Sequence, residues 1–337
     1  MQVPRTIWQI SGGPASRTYK DIFLQHGVAL IGPGGPGPWA VGRPDIDYSG
    51  GHVRQIAGEV KSGDVFLLRH GTSRISAVGL VSGGYEFYPQ FDDVNGWDLG
   101  HGRRVRWSKL PEEYDFGRAV FGANPPRISR VRSPEVTNYV EAFLNSPPTN
   151  WHIAALPGLP PAEAAMSDDE IPQELRDLVG QVRDVVPLMW DRNVFPQHPA
   201  EDEVIANFAV PLLRALGWHP EHIAIKWRFI DITIFKRLPR NPENSELIIE
   251  AKRLGAGVEG ALPQGKRYVE KLEVPRDVVV TDGIRYRLYD AAKNFAPTAY
   301  ANLANLKMSS LQLFDRLRRS SIIKQEQSER SHIGALV

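Results

Sequence analysis

The chain has 337 residues, 42% hydrophobic and 23% charged, with a formal net charge of +1 and no cysteine. That length accommodates two domains with separate cores, and the lack of cysteine excludes disulfides, thiolate zinc sites and cysteine nucleophiles. No apolar run approaches the roughly 18 residues of a membrane span, and the opening residues lack signal-peptide architecture, so a cytoplasmic protein with no membrane partner is expected.

In chain order, a strand is predicted at Thr6–Ile10, a short helix near Tyr19–His26, and apolar strand-like runs at Val28–Ile31, Asp64–Arg69 and Ile75–Val81. Glycine and proline punctuate them closely, which predicts a compact β-rich domain over residues 1–145, closed by a helix from Pro134 to Leu144. Residues 146–199 read as a proline-rich linker carrying one helix that ends near Trp190, because proline removes donors and fixes φ. From 200 to 320 the pattern becomes α/β. A helix over Glu201–Leu216 buries Val204, Ile205, Phe208 and Leu212 at helical spacing, and Gly217 ends it. Strands follow at Ile223–Trp227, Phe229–Phe235 and Glu246–Lys252, then a helix over Glu259–Leu272. Strands Asp277–Thr281 and Ile284–Tyr289 flank an Asp282-Gly283 hairpin turn, and a last helix, Ser309–Arg319, precedes a mobile tail from 321 to 337.

Strand periodicity brings chemistry together in the second half. Ile230, Ile232 and Ile234 share one face of their strand, leaving Asp231 on the other. In the next strand Glu250 and Lys252 share a face. If the two strands pair as a hairpin, Asp231, Glu250 and Lys252 stand side by side. Two carboxylates there suit Mg²⁺, a hard cation that prefers oxygen ligands. A lysine beside them can orient or deprotonate a water, or stabilise a pentavalent phosphorus. Glu201 lies on the buried stripe of its helix and is the candidate third metal-proximal acid, with Glu203 the less favoured substitute. The bland alternative is a surface ladder of cross-strand ion pairs.

The stretch Glu201–Tyr289 resembles the nuclease domain at the N-terminus of type I restriction enzyme R subunits, a PD-(D/E)XK fold. The resemblance rests on Pro211–Trp218, Ile230-Asp231-Ile232, Ile248–Arg253, Gln264 with Tyr268, and Thr281–Tyr286, and extends to Tyr300–Leu303 and Leu311–Phe314. It implies an α/β/α domain in which Asp231 and Glu250 ligate Mg²⁺ (Mn²⁺ substituting), Lys252 is the catalytic lysine, and Gln264 and Tyr268 support them. Ile230 stands where the motif's name has proline. The P-loop of a nucleotide-driven motor is missing from the sequence.

Gly32–Gly37 satisfies the spacing of a dinucleotide fingerprint, but two prolines occupy it and no helix follows to hold a pyrophosphate, so it reads as a rigid loop. The first domain resembles the EVE group of PUA-like β-barrels, which read modified bases. The residues that carry this resemblance are Ile7–Ile10, Val28–Gly34, Gly63–Val65, Ala77–Val81 and Gly96–Trp107. A base drawn out of its stack needs flat walls and a few polar groups aimed at its edge. Trp8, Trp39, Tyr85, Phe91 and Trp97 offer the walls, and Asp92, Asp98 and His101 the edge contacts. Arg103, Arg104 and Arg106 would grip phosphates, although alternation leaves open whether Arg103 points in or out.

Together these readings describe a modification-dependent endonuclease acting on double-stranded DNA with modified cytosine, homodimeric because cutting two strands usually takes two active sites. An RNA-directed nuclease and a non-catalytic nucleic-acid binding module are the alternatives.

Overall fold

The computed structural model describes residues 5–14, 18–41, 51–94, 97–146, 155–258, 260–274 and 276–324. Gly96, Pro147, Pro148, Glu259 and the tail beyond 324 lie outside them. The chain divides into two compact units, Met1–Ala162 and Glu163–Val337. Both are mixed α and β, each built on a six-stranded sheet, and the N-terminal sheet is curled into a half-barrel. Among the described residues no helix is long and apolar enough to cross a membrane.

The first unit runs β1 (Ile7–Ser11), α1 (Lys20–His26), β2 (Val28–Ile31), α2 (His52–Arg54, continued by a π-turn to Glu59), β3 (Val65–His70), β4 (Arg74–Phe87), β5 (His101–Asp115), β6 (Ile128–Arg130) and α3 (Pro134–Asn145). The strand order is β2-β5-β4-β3-β1-β6, with β1 and β3 parallel. Alternation explains how one strand serves two cores. Phe66 and Leu68 of β3 enter the concave core with Trp8, Phe23 and Val105. Val65 and Leu67 face the opposite way, against Val136 and Val140 of α3. Irregularities in the β4–β5 ladder bend these long strands, as bulges do, and curl the sheet.

The second unit opens with α4 (Arg176–Met189). The linker expected over 146–199 is therefore only partly a linker. Leu178, Val179, Val182 and Met189 are buried, and Met189 and Trp190 pack so closely on Gly255 that a Cβ there would meet them at 2.2 and 3.2 Å. Next come α5 (Glu201–Val204), a π-turn over Ile205–Ala209 and α6 (Val210–Ala215), together spanning the helix expected from Glu201. The sheet consists of β7 (Ile223–Trp227), β8 (Ile230–Phe235), β9 (Ser245–Ala251), β10 (Asp277–Thr281), β11 (Arg285–Asp290) and β12 (Ala296–Asn302), in the order β12-β11-β10-β9-β8-β7. Helix α7 (Leu262–Leu272) joins the parallel pair β9 and β10, and α8 (Leu311–Leu317) follows β12.

Several boundaries move for local reasons. Helix α7 starts at Leu262 because Pro263 is tolerated only in a first turn. The turn after β10 takes three residues instead of two. Asp282 is fully buried and accepts N–H bonds from Ile284, Arg285 and Gly257, which fixes that loop. Strand β12 has no counterpart among the predicted elements, since Ala296–Asn302 is poor in β-branched and aromatic residues.

Candidate active site

All six residues of β8 are buried, so Asp231 lies within the unit rather than on a solvent-facing ladder. Strands β8 and β9 pair antiparallel with Ile232 opposite Ile249. One step further along this register places Asp231 opposite Glu250, on one face of the sheet. Asp231 Oδ2 accepts the backbone N–H of Ala251 at 2.8 Å, which pins the aspartate to the end of β9. Lys252 lies just past that end, and its N–H still bonds Thr281 O of β10 at 2.8 Å.

The residues predicted for the site converge on Lys252. Its ammonium donates to Glu250 Oε1 at 2.5 Å and to Gln264 Oε1 at 3.4 Å, and lies 3.5 Å from Glu201 Oε1. Gln264 Nε2 in turn donates to the Tyr268 hydroxyl at 2.8 Å, one helical turn along α7. The helix reaches the sheet this closely because of Gly265, where a Cβ would stand 2.5 Å from Val278. Glu203, the substitute for Glu201, is used otherwise: its carboxylate accepts the N–H of Ala200 and caps α5.

Two participants escape a reading of the sequence. Lys226 donates to Asp231 Oδ1 at 2.7 Å and lies 3.2 Å from Asp202. Neighbouring acids on the first turn of α5 thus each share a lysine with a sheet carboxylate: Glu201 with Glu250 through Lys252, and Asp202 with Asp231 through Lys226. The turn carrying Lys226 holds three non-glycine residues at positive φ, Lys226, Arg228 and Phe229. Such strain costs about 1–2 kcal/mol per residue and gathers at functional sites. Nothing in the hydrophobic pattern of the chain marks it.

Burial, reinforced by Asp231 and Glu201 and only partly offset by Lys252, raises the Glu250 carboxyl to about 7. Burial alone would lower Lys252, but Glu250, Glu201 and Asp231 outweigh it and raise the ammonium. Lys226 follows the same logic: Asp231 and Asp202 overcome burial and raise it.

No group of three or more His, Asp or Glu side chains among the described residues is gathered into a ready-made metal cage. Asp231, Glu250 and Glu201, the three metal ligands expected from sequence, are instead interleaved with ammonium groups. Two observations nevertheless fit a divalent cation. Glu250 is fully buried, and its Oε2 has no hydrogen-bond partner among the described residues. Four carboxylates against two ammonium groups also leave a formal charge of −2 when all are ionised. A buried anion deficient in partners is costly unless a cation joins it.

In the first unit the residues predicted for a base pocket separate into two sets. Trp8 and Phe91 are core residues, a correction to the sequence reading. Trp8 is fully buried and its indole N–H is held by Asp64 at 2.9 Å, while Phe91 packs on Tyr88. Asp92 is half-buried after the short turn Pro89–Phe91. Trp97 packs edge-on against Tyr19, with the Arg127 guanidinium 5.4 Å from its ring. Trp39, Tyr85, Asp98 and His101 do come together, around the loop from Gly32 to Trp39.

That loop is clamped from both sides. His101 bonds Pro33 O through Nε2 at 2.9 Å and Tyr85 Oη through Nδ1 at 2.8 Å, and the N–H of Trp39 donates to the same hydroxyl at 2.8 Å. A carbonyl can only accept, so Nε2 carries the proton and Nδ1 receives the tyrosine's. Burial lowers His101 to about 4, which keeps the ring neutral. Asp98 Oδ2 accepts the N–H of Gly35 at 3.0 Å. A Cβ at Gly32 would fall 1.7 Å from Asp98 O, which explains the glycine.

The three arginines chosen as phosphate contacts fare differently. Arg103 is buried and donates to the carbonyls of Ile56, Ala57 and Gly83, so it braces the π-turn after α2 instead of meeting a partner. Arg104 bonds Pro157 O and Arg106 bonds Ser82 Oγ, both partly exposed. An open groove of about 430 Å³ is lined by Arg54, Gln55, Glu59, Ser129, Arg130 and Arg132, with Glu59 paired to both Arg54 and Arg130. Arg130 and Arg132 belong to the arginine-rich stretch 103–132 of the sequence, and the fold adds Arg54 to them.

A family model described as a domain of unknown function (DUF8426) matches residues 8–123, the stretch holding β1 to β5. No curated protein and no solved structure matches the chain.

Proposed function

We propose that this protein is a modification-dependent DNA endonuclease, in which a PUA-like reader of the EVE type is joined to a PD-(D/E)XK nuclease that hydrolyses phosphodiester bonds with Mg²⁺. The observation that carries the reading is the hydrogen-bonded chain Glu250–Lys252–Gln264–Tyr268 with Asp231 opposite Glu250. A cross-strand ion-pair ladder would be solvated; here Glu250 is fully buried with one oxygen unpartnered among the described residues, a cost that a bound divalent cation would offset.

Asp231 and Glu250 would hold the cation, with Glu201 at the rim. When bound, the cation polarises the phosphoryl oxygen and lowers the pKa of a water. Lys252 orients that water and neutralises charge on the phosphorus oxygens, while Gln264 and Tyr268 fix the lysine's position. The clamped loop Gly32–Trp39 and Asp98 form the candidate reader, and the groove of Arg54, Arg130 and Arg132 supplies phosphate contacts. A nuclease indifferent to sequence would attack its own cell's DNA, so a reader that must engage first confers tolerance and raises the local concentration of the cutting unit. Defence against phage carrying modified cytosine, a homodimeric assembly and a cytoplasmic setting complete the proposal.

The test is incubation with Mg²⁺ and matched duplexes carrying cytosine, 5-methylcytosine, 5-hydroxymethylcytosine or its glucosylated form, with a matched RNA alongside. Cleavage of one modified duplex over the unmodified one is the supporting result. Equal cutting of all four retires the reader, cutting of RNA alone favours an RNA-directed enzyme, and no cutting of any substrate favours a binding module.

A further inference from the structure

We propose that the Lys226 ammonium stands in for a second metal ion, so that the site takes a single divalent cation, and that Asp202 is the carboxylate completing this built-in cation position. The inference rests on the nuclease reading and adds a stoichiometry and two residues to it.

The argument begins with the pairing. Lys226 Nζ bridges Asp231 Oδ1 at 2.7 Å and Asp202 Oδ1 at 3.2 Å, the arrangement a cation takes between two acids. It does so on the opposite side of Asp231 from the hydrogen bond to Ala251, so both oxygens of that carboxylate are engaged. Glu250 differs: its Oε1 meets Lys252, while Oε2 is buried and has no partner among the described residues. Each Asp231 oxygen therefore has one partner, one of them the protein's own cation, and keeps a second lone pair for the bound ion, whereas Glu250 has one oxygen with no partner among the described residues.

Charge gives the same count. With Lys226 present, the four acids and two lysines carry a formal −2, which one divalent ion neutralises. Removing the Lys226 charge leaves −3 and exposes Asp231 Oδ1 and Asp202 to solvent cations. The backbone supports a dedicated role, since Lys226 itself has φ 54° and the turn it opens holds two more non-glycine residues at positive φ. An ordinary surface lysine would not require that strain. The Lys226 side chain is 47% exposed and that of Asp202 81% exposed, so an incoming ion has access to the position.

The experiment is calorimetric titration of Mn²⁺ into the full-length protein without nucleic acid. The wild type is expected to bind one ion, Lys226→Met two, and Lys226→Met with Asp202→Asn one again. Lys226→Arg, which keeps the charge, is expected to bind one and serves as the folding control. One ion in both wild type and Lys226→Met, at unchanged affinity, overturns the inference and leaves the nuclease reading standing. Two ions in the wild type overturns it likewise. Failure of the wild type to bind any ion sinks the reading and the inference together.

Discussion

Asp231 and Ala251 are joined by a hydrogen bond from the alanine's N–H to the aspartate's Oδ2, 2.8 Å long and buried. The contact makes one side chain both a candidate metal ligand and a tie between β8 and the end of β9. Asp231→Asn keeps an acceptor and loses the charge, whereas Asp231→Ala loses both. Cleavage is expected to fall at least about a hundredfold in either variant. Only the alanine variant should lose stability, by about 1–3 kcal/mol for the orphaned N–H, as read by urea unfolding. Equal destabilisation by both would show that charge, not the hydrogen bond, holds the strands.

Glu250 links acidity to stability in the metal-free protein. Its folded carboxyl is raised to about 7 from 4.5, so its contribution is fully present below pH 4.5 and is lost as pH rises through 7. Glu250→Gln removes this dependence. The variant should therefore melt above the wild type at pH 8 without divalent ions, the two should converge near pH 5, and the variant should not cleave DNA. Mn²⁺ affinity of the wild type should weaken up to about tenfold per pH unit below 7, as protons compete for the carboxylate. A flat affinity from pH 5 to 8 would contradict the assignment.

His101 works in the opposite sense. Burial lowers it to about 4, so its contribution is present above the ordinary value of 6.5 and fades as pH falls toward 4. Tyr85→Phe leaves His101 Nδ1 without its donor and the Trp39 N–H without its acceptor, at a cost of roughly 1–3 kcal/mol. Loss of preference for modified over unmodified duplex is the accompanying result expected from binding assays. A Tyr85→Phe protein with full preference would take the loop out of base reading.

Arginines in the first unit should divide cleanly by role. Arg54→Ala and Arg132→Ala are each expected to reduce the slope of log Kd against log salt by about 0.9, with melting temperature unchanged. Arg103→Ala should instead destabilise the protein, because three carbonyls lose a buried donor. A normal melting temperature for that variant would return Arg103 to the phosphate-binding set.

What the sequence discloses and what it hides follow from geometry. Asp231, Glu250 and Lys252 are legible because two-residue periodicity fixes their faces, and Gln264 with Tyr268 because a four-residue step aligns them on a helix. Lys226 and Asp202 are hidden. Lys226 depends on a turn of non-glycine residues at positive φ, and Asp202 is indistinguishable by pattern from any acid in a first helical turn. Arg103 cannot be assigned a side, since the β4–β5 ladder shifts register between Val81 and Tyr85. Trp8 reads as a pocket wall because nothing in its neighbourhood announces Asp64, more than fifty positions away, as its partner. The α4 helix is legible as the one ending near Trp190, but its packing into the second unit is not, because flanking prolines make the segment read as linker while its apolar stripe is buried.

Glu201 and Asp202 are consecutive, and the cap that starts their helix is the Glu203 carboxylate on the N–H of Ala200. The two acids are thus mounted on one mechanical support and travel as a pair. A ligand, a crystal neighbour or a substitution such as Glu203→Ala, which touches neither lysine, would withdraw both anions at once by unwinding a few residues. The acidic cluster can therefore be tuned as a unit from the cap of its helix, a position outside the cluster itself.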